Sequence, residues 1–173
     1  MDLDKLASSI NAVARLRGSF TLRSGVTATE YFDKYRFESD PVLLAAIADH
    51  MRGLVPTGID ALAGLELGGV PVVTALSLRS GLPAIFVRKT AKDYGTCQLV
   101  EGLDVAGRLL CIVEDVVTSG GQIIESCIAL RALGASVEHA LCVIDRETGG
   151  TEALAAIGLE LRPLFRRSQI DRA

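Results

Sequence analysis

The sequence predicts an α/β fold, with a mainly parallel central sheet flanked by helices and preceded by a small N-terminal hood. From about residue 59 onward, short apolar segments alternate with segments of helical spacing, and no repeat, low-complexity stretch or linker interrupts them. Such alternation is typical of a parallel sheet covered on both faces. The chain has 173 residues, of which 49% are hydrophobic, so it is long enough to bury one core. We therefore expect a single domain over residues 1–173, in which residues 1 to about 40 form the hood.

The hood is predicted from the first 40 residues. Apolar side chains at helical spacing predict an amphipathic helix that begins near Leu3 and ends near Gly18. Residues 20–25 and 30–37 are then expected to form short strands around a turn. The next helix should start after Asp40 and Pro41, because proline suits the first helical turn.

The remaining elements follow from periodicity and turn-forming residues. They are a strand at 59–63, a helix from Gly69, strands at 84–87 and 109–113, a helix at 121–133 and a strand at 137–144. Ligands of such sheets lie beyond the carboxyl ends of the strands. The loops that follow these strands are therefore the segments in which to look for a site.

The strongest functional pattern is in residues 109–122, where an apolar strand is followed by Glu114, Asp115 and a small polar turn. Residues 118–122 should lie at a strand-to-helix junction, where unpaired N–H groups and the helix dipole favour an anion such as phosphate. Carboxylates suit the neighbouring ribose hydroxyls and a hydrated metal ion. Together they predict a site for a ribose 5-phosphate. The alternative is that the acidic pair only caps the next helix.

Two other phosphate motifs are absent from the sequence. It contains neither the Walker pattern nor the glycine-rich dinucleotide fingerprint in the required context. A basic segment at 88–96 instead follows the strand that ends at Val87. Alone it would be interpreted as a solvated surface loop, but beside a phosphate site Arg88, Lys89 and Lys92 are suited to neutralise a diphosphate. Gly95 would help this loop to close over the substrate.

Composition excludes several other classes of protein. A net charge of -3 and a pI near 5.4 argue against a broad nucleic-acid surface. Apolar runs are shorter than the roughly 20 residues that a membrane helix needs, and no secretory signal is evident, so we expect a cytoplasmic protein without a membrane partner. The four cysteines are widely spaced and the two histidines are isolated, so neither predicts a metal or redox centre.

Several segments resemble a known family. Four apolar residues, Glu114-Asp115, two β-branched residues and the segment 118–121 resemble the phosphoribosyl diphosphate (PRPP) signature of type I phosphoribosyltransferases. Over nearly the whole chain the sequence resembles the orotate phosphoribosyltransferases. This wider resemblance includes the hood segments 20–25 and 31–33, the diphosphate-side loop 63–71, the catalytic loop 88–95 and the segment 143–150.

The resemblance implies a type I phosphoribosyltransferase fold and the transfer of a 5-phosphoribosyl group from PRPP to orotate, which yields orotidine 5'-phosphate and diphosphate in de novo pyrimidine biosynthesis. It implies catalytic roles for Arg88, Lys89, Lys92 and Asp115, and orotate contacts for Thr118 and Arg146. It also implies Mg²⁺ held mainly by PRPP and water near Glu114 and Asp115, and a homodimer whose catalytic loops are shared between subunits. The implied PRPP-binding residues are Arg88, Lys89, Lys92, Tyr94, Glu114, Asp115, Val116, Val117, Thr118, Ser119, Gly120, Gly121 and Gln122.

The sequence also departs from the family pattern. Tyr94 replaces a histidine, Glu114 replaces an aspartate and Gln122 replaces a small residue. Residues 26–27 replace a basic stretch, for which Arg23 and Lys34 are the candidate substitutes. A purine or other acceptor, and a non-catalytic PRPP-binding regulator, remain alternative functions. For Arg146 the alternative is an ordinary salt bridge to Asp145 or Glu147.

Overall fold

A computed structural model describes residues 1–21, 25–90 and 99–173 of the chain. The N-terminal part contains helix α1 (Leu3–Ala14), strands β1 (Arg15–Thr21) and β2 (Thr27–Phe32), helices α2 (Tyr35–Glu38) and α3 (Pro41–Met51), and a 3₁₀ turn (Arg52–Leu54). Strands β1 and β2 pair antiparallel within the hood, which comprises residues 1 to about 40. Helix α3 starts where the sequence predicted, because the Asp40 carboxylate accepts hydrogen bonds from the first turn and Pro41 needs no partner for its nitrogen.

The second part contains the central sheet. Its elements are β3 (Ala61–Leu65), α4 (Gly69–Ser80), β4 (Ala84–Val87), β5 (Val100–Glu101), β6 (Leu109–Val117), α5 (Gly121–Ala132), β7 (Ser136–Asp145), α6 (Gly150–Ala155), β8 (Glu160–Arg166) and α7 (Arg167–Ile170). Among the described residues six strands pair in the order β5-β4-β3-β6-β7-β8, all parallel except β5 against β4. The predicted fold class, a mainly parallel sheet flanked by helices with a hood, is confirmed.

The two faces of the sheet bury separate apolar clusters. The hood-side cluster packs α1, α3 and α4 against β6 and β7, and includes Ile10, Ile47 and Val113. The opposite cluster packs α5 and α6 against the same strands and includes Ile112 and Cys127. Strand β6 is therefore buried on both sides, which explains its nearly continuous apolar sequence.

Three N-terminal predictions were wrong in detail. Helix α1 ends at Ala14, before Gly18, because Arg15 and the residues after it pair with β2. Of the strand predicted at 20–25, Phe20 and Thr21 belong to β1, Gly25 is not in a strand, and residues 22–24 lie outside the described part of the chain. The predicted strand at 30–37 stops at Phe32, and Tyr35–Glu38 is helical because the Asp33 carboxylate accepts from the Tyr35 amide and turns the chain.

Strand boundaries in the sheet also differ from the predictions. The strand expected at 59–63 is Ala61–Leu65, which pairs along its length with β4. Strand β6 extends past Val113 to Val117, because its ladder with β7 continues to the pair Val117 and Asp145. Strand β8, the parallel neighbour of β7, was not predicted from the sequence. In the described ranges, no helix is long and apolar enough to span a lipid bilayer.

Candidate active site

The predicted strand-to-helix junction lies in residues 116–123, which comprise the end of β6, a turn and the first residues of α5. We call this segment the phosphate loop. Thr118 and Ser119 are exposed, and Gly120 adopts φ +77°, a left-handed conformation that favours glycine. Helix α5 follows directly, so its first N–H groups face the loop. The loop lines a cavity of about 150 Å³ together with Glu114 and Lys34. This geometry suits a phosphate ester at the end of a polar pocket.

Two glycines from other segments make room for this junction. A Cβ atom on Gly150 would lie 2.4 Å from the Thr118 carbonyl oxygen, directly behind the loop. A Cβ atom on Gly68 would lie 1.8 Å from Oδ2 of Asp115. No side chain larger than hydrogen fits at either position without a shift of the site.

Glu114 and Asp115 lie inside β6, not at its end as the sequence suggested. The longer ladder with β7 draws both into the sheet, where Asp115 is fully buried and Glu114 is 7% exposed. The first turn of α5 is preceded by Gly120, and no side chain caps it. The acidic pair therefore does not cap the helix, which excludes the alternative considered from the sequence.

The hood supplies the partner of the buried acid. Lys34, immediately before α2, places Nζ 2.5 Å from Oδ2 of Asp115, while Oδ1 accepts a hydrogen bond from the Val116 amide at 2.6 Å. Glu38, one helical turn after Lys34, is 6% exposed and contacts the same carboxylate. Three carboxyl groups and one ammonium thus form a buried cluster between the hood and β6.

The charges in this cluster are strongly perturbed. Burial raises the pKa of Glu38 to about 9, with the neighbouring Asp115 adding to the shift. Burial, and then contact with Asp115, also raises the pKa of Glu114 well above its usual range. Burial alone would raise the pKa of Asp115, but hydrogen bonds from Glu114, Glu38 and Lys34 outweigh it and lower the pKa. At neutral pH the favoured arrangement is an ionised Asp115 paired with Lys34 beside a protonated Glu38.

This arrangement predicts a pH-dependent stability. The Glu38 pKa rises from 4.5 in the unfolded chain to about 9 in the folded protein, so between those values the folded state binds the extra proton. Stability contributed by this group must therefore fall as pH rises through that window. We expect the melting temperature to fall more steeply between pH 6 and 9 in the wild type than in Glu38→Gln. Calorimetry would measure it, with the exposed Glu138→Gln as control; equal slopes for wild type and Glu38→Gln would contradict the prediction.

Glu66 connects the phosphate loop to the basic segment. The Gln122 side-chain amide donates to the Glu66 carbonyl oxygen at 2.7 Å, and the Lys89 amide donates to the Glu66 carboxylate at 3.0 Å. Gln122, which departs from the family pattern, thus joins its loop to the predicted diphosphate-side loop. The Gln122 side chain is therefore engaged with the Glu66 carbonyl oxygen, and its contact with PRPP stays a prediction.

The structure places two of the predicted diphosphate residues near α5. Arg88 and Lys89 follow β4 and line a cavity of about 320 Å³ with the start of α5. The Nε atom of Arg88 is buried and has no hydrogen-bond partner in the described part of the chain, so it can serve a ligand. Lys92, Tyr94 and Gly95, together with Arg23 of the hood, lie outside the described residues.

Arg146 lies next to the phosphate loop through its backbone, since its amide donates to the Val117 carbonyl at 2.8 Å. Its two suggested salt-bridge partners are engaged elsewhere. Asp145 accepts from the Glu147 amide and the Thr151 hydroxyl, and Glu147 accepts from the Ser168 amide and hydroxyl. Within residues 1–21, 25–90 and 99–173, no carboxylate forms an ion pair with Arg146. Burial, and then the nearby Arg167, lower its pKa, so an anionic ligand would be favoured beside it.

Sequence reasoning missed Glu38, Gly68 and Gly150 as parts of the site. Glu38 was hidden by the strand predicted at 30–37, because only a helix places it one turn from Lys34. The pattern that could have revealed it is the spacing of Lys34 and Glu38, which is typical of helical pairs. The two glycines carry no local signal, since their neighbours come from distant segments.

The residues present are compatible with Mg²⁺ that arrives with PRPP. Glu114 lines the cavity, and its Oε2 atom is buried without a hydrogen-bond partner in the described residues. A carboxyl oxygen in this position can accept from ribose hydroxyls or from metal-bound water. Among the described side chains, no cluster of three or more His, Cys, Asp or Glu has the arrangement of a protein-built metal site.

Comparisons with known proteins agree with this geometry. The phosphoribosyl transferase domain family matches residues 38–156. An orotate phosphoribosyltransferase of Nocardioides sp. is 55% identical over the whole chain and 97% of its own length. A crystal structure of Mycobacterium tuberculosis orotate phosphoribosyltransferase is 34% identical and superposes with a TM-score of 0.89 over 98% of this chain and 99% of its own. A structure of the same M. tuberculosis enzyme with PRPP is 31% identical, with a TM-score of 0.85 and 99% of both chains covered. The chain therefore belongs to the orotate phosphoribosyltransferase family of type I phosphoribosyltransferases.

Proposed function

We propose that the protein transfers the 5-phosphoribosyl group of PRPP to orotate, which yields orotidine 5'-phosphate and diphosphate in pyrimidine biosynthesis. One observation carries the choice of acceptor. The Arg146 backbone amide donates to the Val117 carbonyl oxygen in the phosphate loop, and no carboxylate of the described residues forms an ion pair with its guanidinium. A carboxylated base is the acceptor that such a cation favours. The relatives named orotate phosphoribosyltransferase support the same choice.

In the proposed mechanism, positioned charged groups stabilise the charges that develop on the diphosphate and on the ribosyl group. Departure of diphosphate leaves an oxocarbenium-like ribosyl group, which the ring nitrogen of orotate attacks. Because the leaving group is anionic and the pyrimidine can already be deprotonated, the reaction needs stabilised charges more than a strong base. Arg88 and Lys89 would hold the diphosphate, and Glu114 and Asp115 the ribose. Residues 118–122 of the phosphate loop would hold the 5-phosphate, and Val116 and Val117 would add contacts to PRPP.

Mg²⁺ bound with PRPP would neutralise part of the diphosphate charge. Glu114 would then accept hydrogen bonds from the ribose hydroxyls or from water around the ion. Arg146 and Thr118 would orient the orotate ring, and Lys92 and Tyr94 would add contacts from the catalytic loop.

The test of the function is acceptor-dependent consumption of PRPP in the presence of Mg²⁺. We expect turnover with orotate and none with adenine, guanine or hypoxanthine. Turnover with a purine but not with orotate would reject the proposal in favour of a purine phosphoribosyltransferase. PRPP binding with no turnover of any base would favour a regulator.

Replacement of Arg146 should weaken binding of orotate, the acceptor substrate, and leave binding of PRPP nearly unchanged. We expect Arg146→Gln to raise the KM for orotate by about tenfold to a hundredfold, since a charge-assisted hydrogen bond contributes about 1.5–3 kcal/mol. The KM for PRPP should change less than threefold. Steady-state kinetics with each substrate varied in turn would measure both constants. The exposed Arg52→Gln is the matched control, and an unchanged orotate KM in Arg146→Gln would refute the role of Arg146.

The remaining parts of the proposal concern the whole protein. We infer a cytoplasmic homodimer of single-domain subunits, in which the catalytic loop of one subunit reaches the site of the other. An inactive variant at Arg88 and Lys92 mixed with an inactive variant at Asp115 should then recover activity. No recovery after mixing and subunit exchange would count against shared sites.

A further inference from the structure

The hood contributes a cation to the phosphate cavity. Lys34 lines the cavity of about 150 Å³ together with Glu114 and the loop of residues 116–123. Its side chain is 31% exposed, whereas that of its partner Asp115 is fully buried. Lys34 is thus the more accessible member of this ion pair, and its side chain lines the cavity directly.

The ammonium group of Lys34 retains unused hydrogen-bonding capacity. A lysine ammonium has three N–H donors. In the part of the chain that the structure describes, its polar partner is Oδ2 of Asp115, and its other close contact is the Tyr35 ring, at 5.3 Å from the centroid. Donors directed at neither group are available to oxygen atoms in the cavity.

The position of Lys34 is held from two sides. Asp115 is fixed by β6, by the Val116 amide and by the tight approach of Gly68. Lys34 immediately precedes helix α2, and Glu38 at the end of that helix contacts Asp115 from the hood side. A cation held in place before the ligand arrives loses little conformational freedom on binding, which favours affinity.

The charge of Lys34 also suits the expected ligand. Glu114 lines the cavity, and Asp115 and Glu38 belong to the same buried cluster. A polyanionic sugar phosphate would be repelled by these carboxyl groups if they were all ionised and unpaired. The positive charge of Lys34 pairs with the negative charge of Asp115, and the Lys34 side chain also lines the cavity. A cation at this position therefore reduces the repulsion between the ligand's phosphate groups and the carboxyl groups that suit its ribose hydroxyls.

We propose that Lys34 is a PRPP-binding residue, held by Asp115, that donates hydrogen bonds to the sugar phosphate in the cavity of the loop 116–123. This inference rests on the proposed function for the identity of the ligand. It adds a contact from the hood to a site otherwise built by the sheet and its loops. It also couples placement of the hood to occupation of the PRPP site.

The experiment compares PRPP binding to the full-length wild type, Lys34→Met and Lys34→Arg by titration calorimetry with Mg²⁺ and without an acceptor. Lys34→Met keeps the apolar stem and removes the charge, and we expect it to weaken PRPP binding by about tenfold to a hundredfold. Lys34→Arg should recover most of the affinity, because it restores the cation. Lys5→Met, at an exposed position of α1, should bind as the wild type does.

Steady-state kinetics separate binding from a general structural effect. In Lys34→Met the KM for PRPP should rise, as expected for loss of one contact with PRPP. The KM for orotate at saturating PRPP should stay within about threefold of the wild-type value. PRPP affinity unchanged in Lys34→Met, at a temperature where melting curves show it folded, would overturn the inference. Equal losses in the Met and Arg variants would also overturn it. The wild type's turnover of orotate is measured in the same assays, so failure of the proposed function would be seen separately.

Discussion

Asp115→Asn is expected to lower kcat/KM for PRPP by about a thousandfold and to destabilise the protein by about 3–5 kcal/mol, the typical cost of breaking a buried ion pair. The substitution keeps the shape of the side chain and removes its charge. The Lys34 ammonium, 2.5 Å from Oδ2, would then be partly buried without an ionised partner. The site would also lose the carboxylate proposed to hold the ribose hydroxyls.

The matched control for this variant is Asp49→Asn. Asp49 also pairs with a cation, Arg79, at 3.0 Å, but its side chain is 59% exposed. Exposed pairs typically contribute up to about 1 kcal/mol, so this variant should keep its activity and nearly all its stability. Denaturant unfolding and steady-state kinetics would measure both variants. Similar behaviour of the two would contradict a special role for the buried pair.

Gly150→Ala should raise the KM for PRPP by about tenfold or more, because it displaces the phosphate loop. The new Cβ atom would lie 2.4 Å from the Thr118 carbonyl oxygen and 2.7 Å from Cγ1 of Val117. The carbonyl oxygen belongs to the backbone, so it can yield only if the loop moves, and the Val117 side chain is buried at the end of β6. Overpacking of this kind costs about 1–3 kcal/mol, so the melting temperature should fall as well.

Gly53→Ala is the control for the glycine substitution. No atom lies within 4 Å of a Cβ built on Gly53, and its backbone is not left-handed. This variant should keep its PRPP affinity and its stability. A Gly150→Ala protein with the wild-type KM for PRPP would show that the loop tolerates the displacement or does not bind the phosphate.

The fold class could be predicted because its signals are repeated along the chain. Alternating apolar strands and helical segments indicated the parallel sheet, and the junction at residues 118–122 follows directly from contiguous residues. Boundaries were harder to predict, because they depend on pairing. Strand β6 continues through Glu114 and Asp115 only because β7 offers backbone partners as far as Asp145.

The residues of the candidate site also fall into those that local sequence predicts and those that depend on contacts between distant segments. Local sequence was enough to identify the phosphate loop, its neighbouring acids and Arg146, because these features lie within short segments whose chemistry can be interpreted directly. Their roles in catalysis stay predictions, and those of Lys92 and Tyr94 lie in a segment outside the described residues.

Contacts between distant segments decided the rest. The tertiary structure places Lys34 and Glu38 of the hood against Asp115, brings Gly68 and Gly150 against the site, and engages Asp145 and Glu147 away from Arg146. Burial is the physical reason for the difference, since the charge of an acid or a lysine and the space beside a glycine depend on neighbours that only the folded chain supplies. The sequence alone therefore identified the chemistry of the phosphate loop, and the folded structure determined which groups hold and complete it.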